Sequence, residues 1–155
     1  IEVLRGTPVL LQLYVFYFAM PDNVPEAVSI IVALVVNASA YISEIIRAGI
    51  NAVDKGQWEA ARSVGLCEFN VMTRVILPQA VKNILPALCN EFIVLIKETS
   101  IVSFIAVTDL YKSFKQLGDP TYEYTMPYLM LALTYLFIVL LIFMAFIPKV
   151  LFKLS

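Results

Sequence analysis

Residues Tyr124 to Pro148 form a run of 25 residues without one charged side chain, and an α-helix needs only about 20 apolar residues to cross the hydrocarbon core of a bilayer. This run predicts a membrane-spanning helix. A second uncharged run, Ala27 to Ser43 between Glu26 and Glu44, is near the short end of the spanning range and is bounded by residues suited to an interface. Pro8 to Met20 is also uncharged and reaches membrane length with the turn through Arg5. A fourth span, about Ile84 to Ala106, is interrupted by Glu91, Lys97 and Glu98. The expected fold class is all-α: a multi-span helical membrane protein with spans at about 5–20, 27–46, 84–106 and 126–148. Composition agrees. Of 155 residues 61% are hydrophobic and 15% charged, against roughly 45–50% and 25% in soluble domains, which leaves too little polar surface for a water-facing shell and argues against a soluble enzyme.

Several chemistries are also excluded. The chain has no His and two distant Cys, Cys67 and Cys89, so no metal site, disulfide framework or cofactor is expected, and both thiols read as packing residues. The net charge of −1 offers nothing to nucleic acid. The opening Ile1-Glu2-Val3-Leu4-Arg5 has neither an initiator Met nor the layout of a signal peptide, and reads as a cut from a longer polypeptide.

Four spans put the connecting segments alternately on two sides. One side holds Arg5, Arg47, Lys55, Arg62, Arg74, Lys82, Lys149 and Lys153, and the other holds Lys97, Lys112 and Lys115. The positive-inside rule makes the eight cytoplasmic. The segment at about 49–80 and the C-terminus then face the cytosol. Asp22 to Glu26 and a loop from about Val107 to Glu123, turning at Gly118-Asp119-Pro120, face outward.

The cytosolic segment is structured. Gln57 to Val64 has good helix formers, with Glu59 placed near the N-terminus to suit the macrodipole, and Gly65 ends the helix in the left-handed conformation. Glu68 to Ile76 forms a second short helix with Phe69, Met72 and Ile76 on one face, and Pro78 marks the next break. This apolar ridge fits a partner protein or a lipid surface, and Trp58 fits either.

Glu59-Ala60-Ala61, then Gly65, Val75 and Leu77-Pro78 at fixed offsets, resemble the EAA loop of ABC-importer permeases, with Val75 in place of the usual Ile. Arg5-Gly6-Thr7-Pro8, Ala40-Tyr41 with Glu44 and Arg47, Lys55-Gly56-Gln57-Trp58, Leu77-Pro78-Gln79-Ala80 and Lys97-Glu98-Thr99-Ser100 are similar to the polar amino-acid uptake branch. The resemblance covers essentially the whole chain. It implies a single transmembrane permease domain over 1–155 in the bacterial plasma (inner) membrane, with five spans in the family, so that a first span and its loop precede residue 1. It implies that Gln57, Trp58, Glu59, Ala60, Ala61, Gly65, Leu77 and Pro78 form the coupling loop to separate ATP-binding subunits. It further implies a second permease copy or paralogue, an extracytoplasmic solute-binding protein and an amino-acid substrate. ATP hydrolysis is expected on the partner, because no Gly is followed by four residues and Gly-Lys-Ser/Thr, the pattern of a phosphate-cradling loop.

Polar residues in the spans supply a candidate path. Asn83, Asn90 and Lys97 recur every seven residues, so they form one stripe. Asn37, Tyr41 and Glu44 share a face of the second span, and Thr99 and Ser100 follow the stripe. Each is either a path residue or an interhelical tie. Lys97 and Glu98 either gate or snorkel, whereas Glu44 and Arg47 read as an i, i+3 pair. Tyr14, Tyr17, Tyr122, Tyr124 and Tyr128 read as an interface belt. Phe137, Leu141 and Met144 form a face for lipid or a neighbouring helix. A secondary carrier or channel with a structural cytosolic loop is the alternative reading, and a non-transport membrane anchor the third.

Overall fold

The structure is a computed structural model that describes residues 1–21, 23–105 and 108–154, with side chains as far as residue 145. Asp22, Ala106 and Val107, and the side chains of Pro148, Lys149 and Lys153, lie outside the described residues. Every regular element among the described residues is helical: α1 (Glu2–Gly6), α2 (Val9–Ala19), α3 (Glu26–Asn51), α4 (Lys55–Ser63), α5 (Glu68–Asn70), a π-helical stretch (Val71–Ile76), α6 (Leu77–Glu98), a 3₁₀ stretch (Thr99–Ile105), α7 (Leu110–Gly118) and α8 (Thr125–Leu154). By length and composition, Glu26–Asn51 and Thr125–Ala145 are long and apolar enough to cross a membrane.

The helix ends follow local chemistry. The expected span at 5–20 is divided, because Thr7 precedes Pro8 and is extended (φ −104, ψ 140), as the clash with a following proline ring requires. α1 and α2 are therefore separate helices. α3 begins after Pro25, a residue whose fixed φ suits a helix entrance, and packs against α2 and, most extensively, α6. The expected break at Pro78 is absent. Pro78 lies in the first turn of α6, and the Leu77 amide reaches back five residues to the Met72 carbonyl, so a widened π turn carries α5 directly into α6. The second short helix is thus the root of a long one. At the other end, α-helical winding stops at Glu98. Thr99, Ser100 and Ser103 turn their hydroxyls onto the carbonyls of Ile96 (2.6 Å), Lys97 (2.8 Å) and Ser100 (3.0 Å), and the chain tightens into the 3₁₀ stretch there.

The expected loop after residue 107 contains α7, whose N-terminus is capped by Asp109 through the Lys112 amide at 2.8 Å. Leu110, Tyr111, Phe114 and Leu117 give α7 a helical apolar stripe. Rings from three elements stack in sequence: Phe104 on Tyr111 (6.2 Å), Tyr111 on Tyr128 (5.8 Å) and Tyr128 on Tyr124 (5.9 Å). Glu123 precedes α8 and accepts the Thr125 amide at 2.9 Å. Hydrogen bonding from the Thr125 side chain and backbone holds the Glu123 carboxyl below the usual carboxylate range.

Two apolar clusters hold the helices. Leu13, Ile30, Ala33, Val102 and Ile105 join α2, α3 and the 3₁₀ stretch. Val53, Ala61, Val71, Ile76, Ala80 and Ile84 join the end of α3, α4, the π stretch and α6. α8 differs: Leu129, Leu133, Leu136, Phe137, Leu140, Leu141 and Met144 are all exposed in the single chain, an apolar surface that water alone would disfavour.

Candidate coupling loop and polar path

α4 owes its position to an ordered series of caps. Asp54 accepts the Gly56 amide at 2.5 Å, so the helix starts at Lys55, two residues before the expected Gln57. Glu59 consequently lies in the second turn, further from the positive end of the helix than expected, and the N-terminus is capped by Asp54. At the far end the Gly65 amide bonds the Arg62 carbonyl (2.9 Å) and the Leu66 amide bonds the Ala61 carbonyl (3.3 Å). These two bonds make the Schellman arrangement, with Gly65 at φ +83 in the left-handed position.

Around that turn, Arg62 holds Glu68 with two contacts, Nε to Oε1 at 2.9 Å and NH2 to Oε2 at 3.1 Å. Arg62 also lies 6.0 Å from the Trp58 ring centre. Arg62 and Glu68 are six residues apart and meet only because Gly65 reverses the chain, whereas Trp58 and Arg62 are i, i+4 neighbours on α4. Gln79 bridges the loop's two arms: its amide nitrogen donates to the Gln57 side chain (3.3 Å) and to the Val75 carbonyl (2.9 Å).

The loop therefore has an inner and an outer side. Ala61 is buried in the cluster, while Ala60, Glu59 and Gly65 are exposed, Leu77 is half-buried and Pro78 exposed. Of the expected outer ridge of Phe69, Met72 and Ile76, only Phe69 is exposed, Met72 is half-buried and Ile76 is buried. The π winding places Val71, Ile76 and Ala80 inside, and Phe69 is 74% exposed. Val64 is equally exposed. A cleft of about 330 Å³ opens beside α4, lined by Asn51, Val53, Trp58, Glu59 and Arg62 among others. Cys67 is exposed and Cys89 half-buried.

The candidate path residues separate into two groups. Asn83, Asn90 and Lys97 are exposed along α6, whereas Asn37 is buried on α3 on the helical face that Ile30 and Ala33 also occupy. The structure does not bring these two groups together within the chain. Tyr41 lies beneath the Arg5 guanidinium, 5.5 Å from its carbon. Thr99 and Ser100 spend their hydroxyl protons on their own helix. Glu44 and Arg47 approach to 3.8 Å. Of the expected belt, Tyr17 instead links α2 to α3 by donating to Glu26 at 3.2 Å.

Long apolar helices carry a capped polar loop folded against the junction of two of them, an architecture suited to a membrane protein. The chain belongs to the family of binding-protein-dependent transport system inner membrane components, whose model matches residues 1–153. It is 44% identical over 156 residues to the Rickettsia conorii "Putative glutamine transport system permease protein GlnP", across 98% of this chain and 71% of that protein. It is 45% identical over 145 residues to the "arginine transport system permease protein ArtQ" of Bacillus subtilis, across 91% of this chain and 66% of that one. A solved structure, "crystal structure of an amino acid ABC transporter with histidines", superposes with a TM-score of 0.83 at 49% identity, covering 91% of this chain and 67% of that chain. Its relatives are thus amino-acid ABC permeases, as the sequence resemblance implied.

Proposed function

We propose that this chain is the membrane subunit of an ATP-driven importer of a polar amino acid, with four membrane spans at about 5–20, 27–46, 84–106 and 126–148. Its 49–80 loop and C-terminus lie in the cytosol of a bacterial cell, at the inner membrane. The observation that carries the reading is the α4 turn: an inner side locked to α3 and α6, and an outer side that leaves Glu59, Val64 and Phe69 uncovered. Such a unit receives a push from outside the bilayer and passes it to two helices as a rigid body. Gln57, Trp58, Glu59, Ala60, Ala61, Gly65, Leu77 and Pro78 form this coupling unit, which meets a separate ATPase. A second permease copy or paralogue completes the assembly, and an extracytoplasmic protein delivers the solute. The polar groups at Asn37, Tyr41, Asn83, Asn90, Lys97, Thr99 and Ser100 remain the candidate path.

The test is uptake by proteoliposomes holding the permease, its ATPase and its binding protein, with a panel of radiolabelled amino acids. Uptake of at least one polar amino acid is expected, dependent on internal or external ATP according to orientation and on the binding protein. Uptake that persists without ATPase, driven by an ion gradient, would establish the secondary-carrier reading instead.

Orientation has its own measurement. In a Cys89→Ser background, the exposed Cys67 is expected to react with a membrane-impermeant maleimide in inverted vesicles and to stay unlabelled in intact cells. Labelling of intact cells would reverse the topology.

A further inference from the structure

The segment joining α7 to α8 holds a residue whose backbone and side chain are both out of the ordinary. Tyr122 has φ +55, the single left-handed position other than glycine among the described residues, and a bulky side chain in that region is a genuine outlier. Its side chain is also the most exposed large hydrophobic group among the described residues, at 85%. Strain of this kind persists only where the surroundings over-determine the backbone.

The surroundings do so here. Gly118, the last residue of α7, lies so close to the returning chain that a Cβ on it would overlap the Glu123 carbonyl and the Tyr124 ring. The Thr121 amide closes the turn onto the Gly118 carbonyl at 3.2 Å. Beyond Tyr122, Glu123 accepts the Thr125 amide at 2.9 Å, and the Tyr124 hydroxyl donates to Asp119 at 3.0 Å. Tyr124 is anchored in turn by stacking on Tyr128. The residues on both sides of Tyr122 are thus tied down while its own ring stands clear. Two carboxylates flank it: Asp119 and Glu123 are exposed, and neither has an ion-pair partner among the described residues.

A bilayer surface is fluid, and the segments that bind it are amphipathic and rich in basic residues. This tip instead has a fixed backbone and uncompensated negative charge on both sides of its aromatic group. Tyrosine is a residue type that anchors protein interfaces, and a tip already held in place loses little freedom on docking. We propose that Tyr122 is the anchor on which the extracytoplasmic solute-binding protein docks, its ring entering an apolar pocket of that protein rimmed by Lys or Arg side chains that meet Asp119 and Glu123. The inference rests on the import reading and its topology, which put the loop before α8 outside the cell, and adds the residue that the delivering protein grips.

The probe is the solute-binding protein that supports uptake in the proteoliposome assay, loaded with its amino acid, and the measurement is its affinity for the permease–ATPase complex in nanodiscs. Tyr122→Gly is expected to weaken binding at least about tenfold, the scale of an interface anchor, and Tyr122→Phe to keep most of it. In uptake, Tyr122→Gly should raise the binding-protein concentration that gives half the maximal rate and leave the maximal rate near wild type. Its melting temperature should not fall, since glycine takes a positive φ freely. Glu123→Gln keeps an acceptor for the Thr125 amide, and is expected to weaken binding at low salt and to flatten its dependence on salt. With p-benzoylphenylalanine in place of Tyr122, irradiation is expected to join the permease to the binding protein. Joining to lipid alone assigns the ring to the bilayer and overturns the proposal. Wild-type affinity in Tyr122→Gly, with ATP-driven uptake intact, overturns the anchor and leaves the import reading standing. A Tyr122→Gly protein that melts lower and loses uptake at every binding-protein concentration shows a structural tyrosine and overturns the anchor too. Wild-type uptake that needs neither ATP nor a binding protein overturns the import reading and the anchor together.

Discussion

Gly65→Val is expected to abolish ATP-driven uptake and to release the ATPase from the permease, while Gly65→Asn keeps most of both. The expectation comes from the backbone. Gly65 has φ +83, and a Cβ built there meets nothing within 4 Å, so a side chain at this position is opposed by conformation and not by space. Left-handed φ costs an L-residue roughly 1–2 kcal/mol, and a β-branched residue is the poorest fit of all. To escape, the chain must give up the two bonds that end α4, from Gly65 to Arg62 and from Leu66 to Ala61. Arg62 and Glu68 then lose the reversal that joins them. That ion pair is more than half exposed on both sides and would by itself hold little, so it cannot keep the turn closed. Asn visits the left-handed region readily, which is why its effect should be small. Co-purification of the ATPase with tagged permease and uptake by proteoliposomes are the two readouts. Full uptake in the Val variant would end the lever account. An Asn variant as damaged as Val would mean that a partner's close approach, and not φ, requires the glycine.

The Gly65 turn was legible in the sequence because its cause is local: a polar helix, a glycine and an apolar residue after it. Elsewhere the same local signals were misread. Leu77-Pro78 suggests a stop, yet the π stretch before it widens the winding enough to take a ring that lacks an amide and would crowd a preceding carbonyl. That widened winding takes Ile76 out of the expected outer ridge and buries it with Val71 and Ala80, while Phe69 stays exposed, a change that three-and-four counting cannot anticipate. α7 was hidden by Lys112, Lys115 and the Gly118-Asp119-Pro120 turn, although Asp109 ahead of Leu110, Tyr111, Phe114 and Leu117 carried a cap and a stripe. Thr7-Pro8 carried the signal that divides α1 from α2. Gln12 escaped notice for a different reason: a lone amide in an apolar run shows its role only when its three acceptors are in view. The exposed stripe of Asn83, Asn90 and Lys97 could be drawn from spacing alone.

Gly49→Val is expected to be the most damaging single change to the packing of the helices themselves. Gly49 is buried near the end of α3, and a Cβ added to it would overlap the Ile84 side chain of α6. α3 and α6 form the most extensive helix pair in the chain, and Ile84 belongs to the cluster that also seats Ala61 of α4. Helix propensity acts the other way, since replacing a mid-helix glycine with alanine ordinarily gains about 1 kcal/mol. Overpacking a close helix contact costs about 1–3 kcal/mol, sometimes more, so the clash should outweigh the gain for Ala and plainly so for Val. Ile84→Ala alone should destabilise by about 2–5 kcal/mol through the cavity it leaves. Combined with Gly49→Ala, it should cost less than the sum, because the added methyl group enters the space that the isoleucine vacated. Thermal unfolding of the detergent-solubilised complex, followed for the two single variants and the double, gives the coupling directly. A Gly49→Ala protein that melts above wild type would show that α3 and α6 are not held at this distance by the glycine, and the seating of α4 on their junction would need another support.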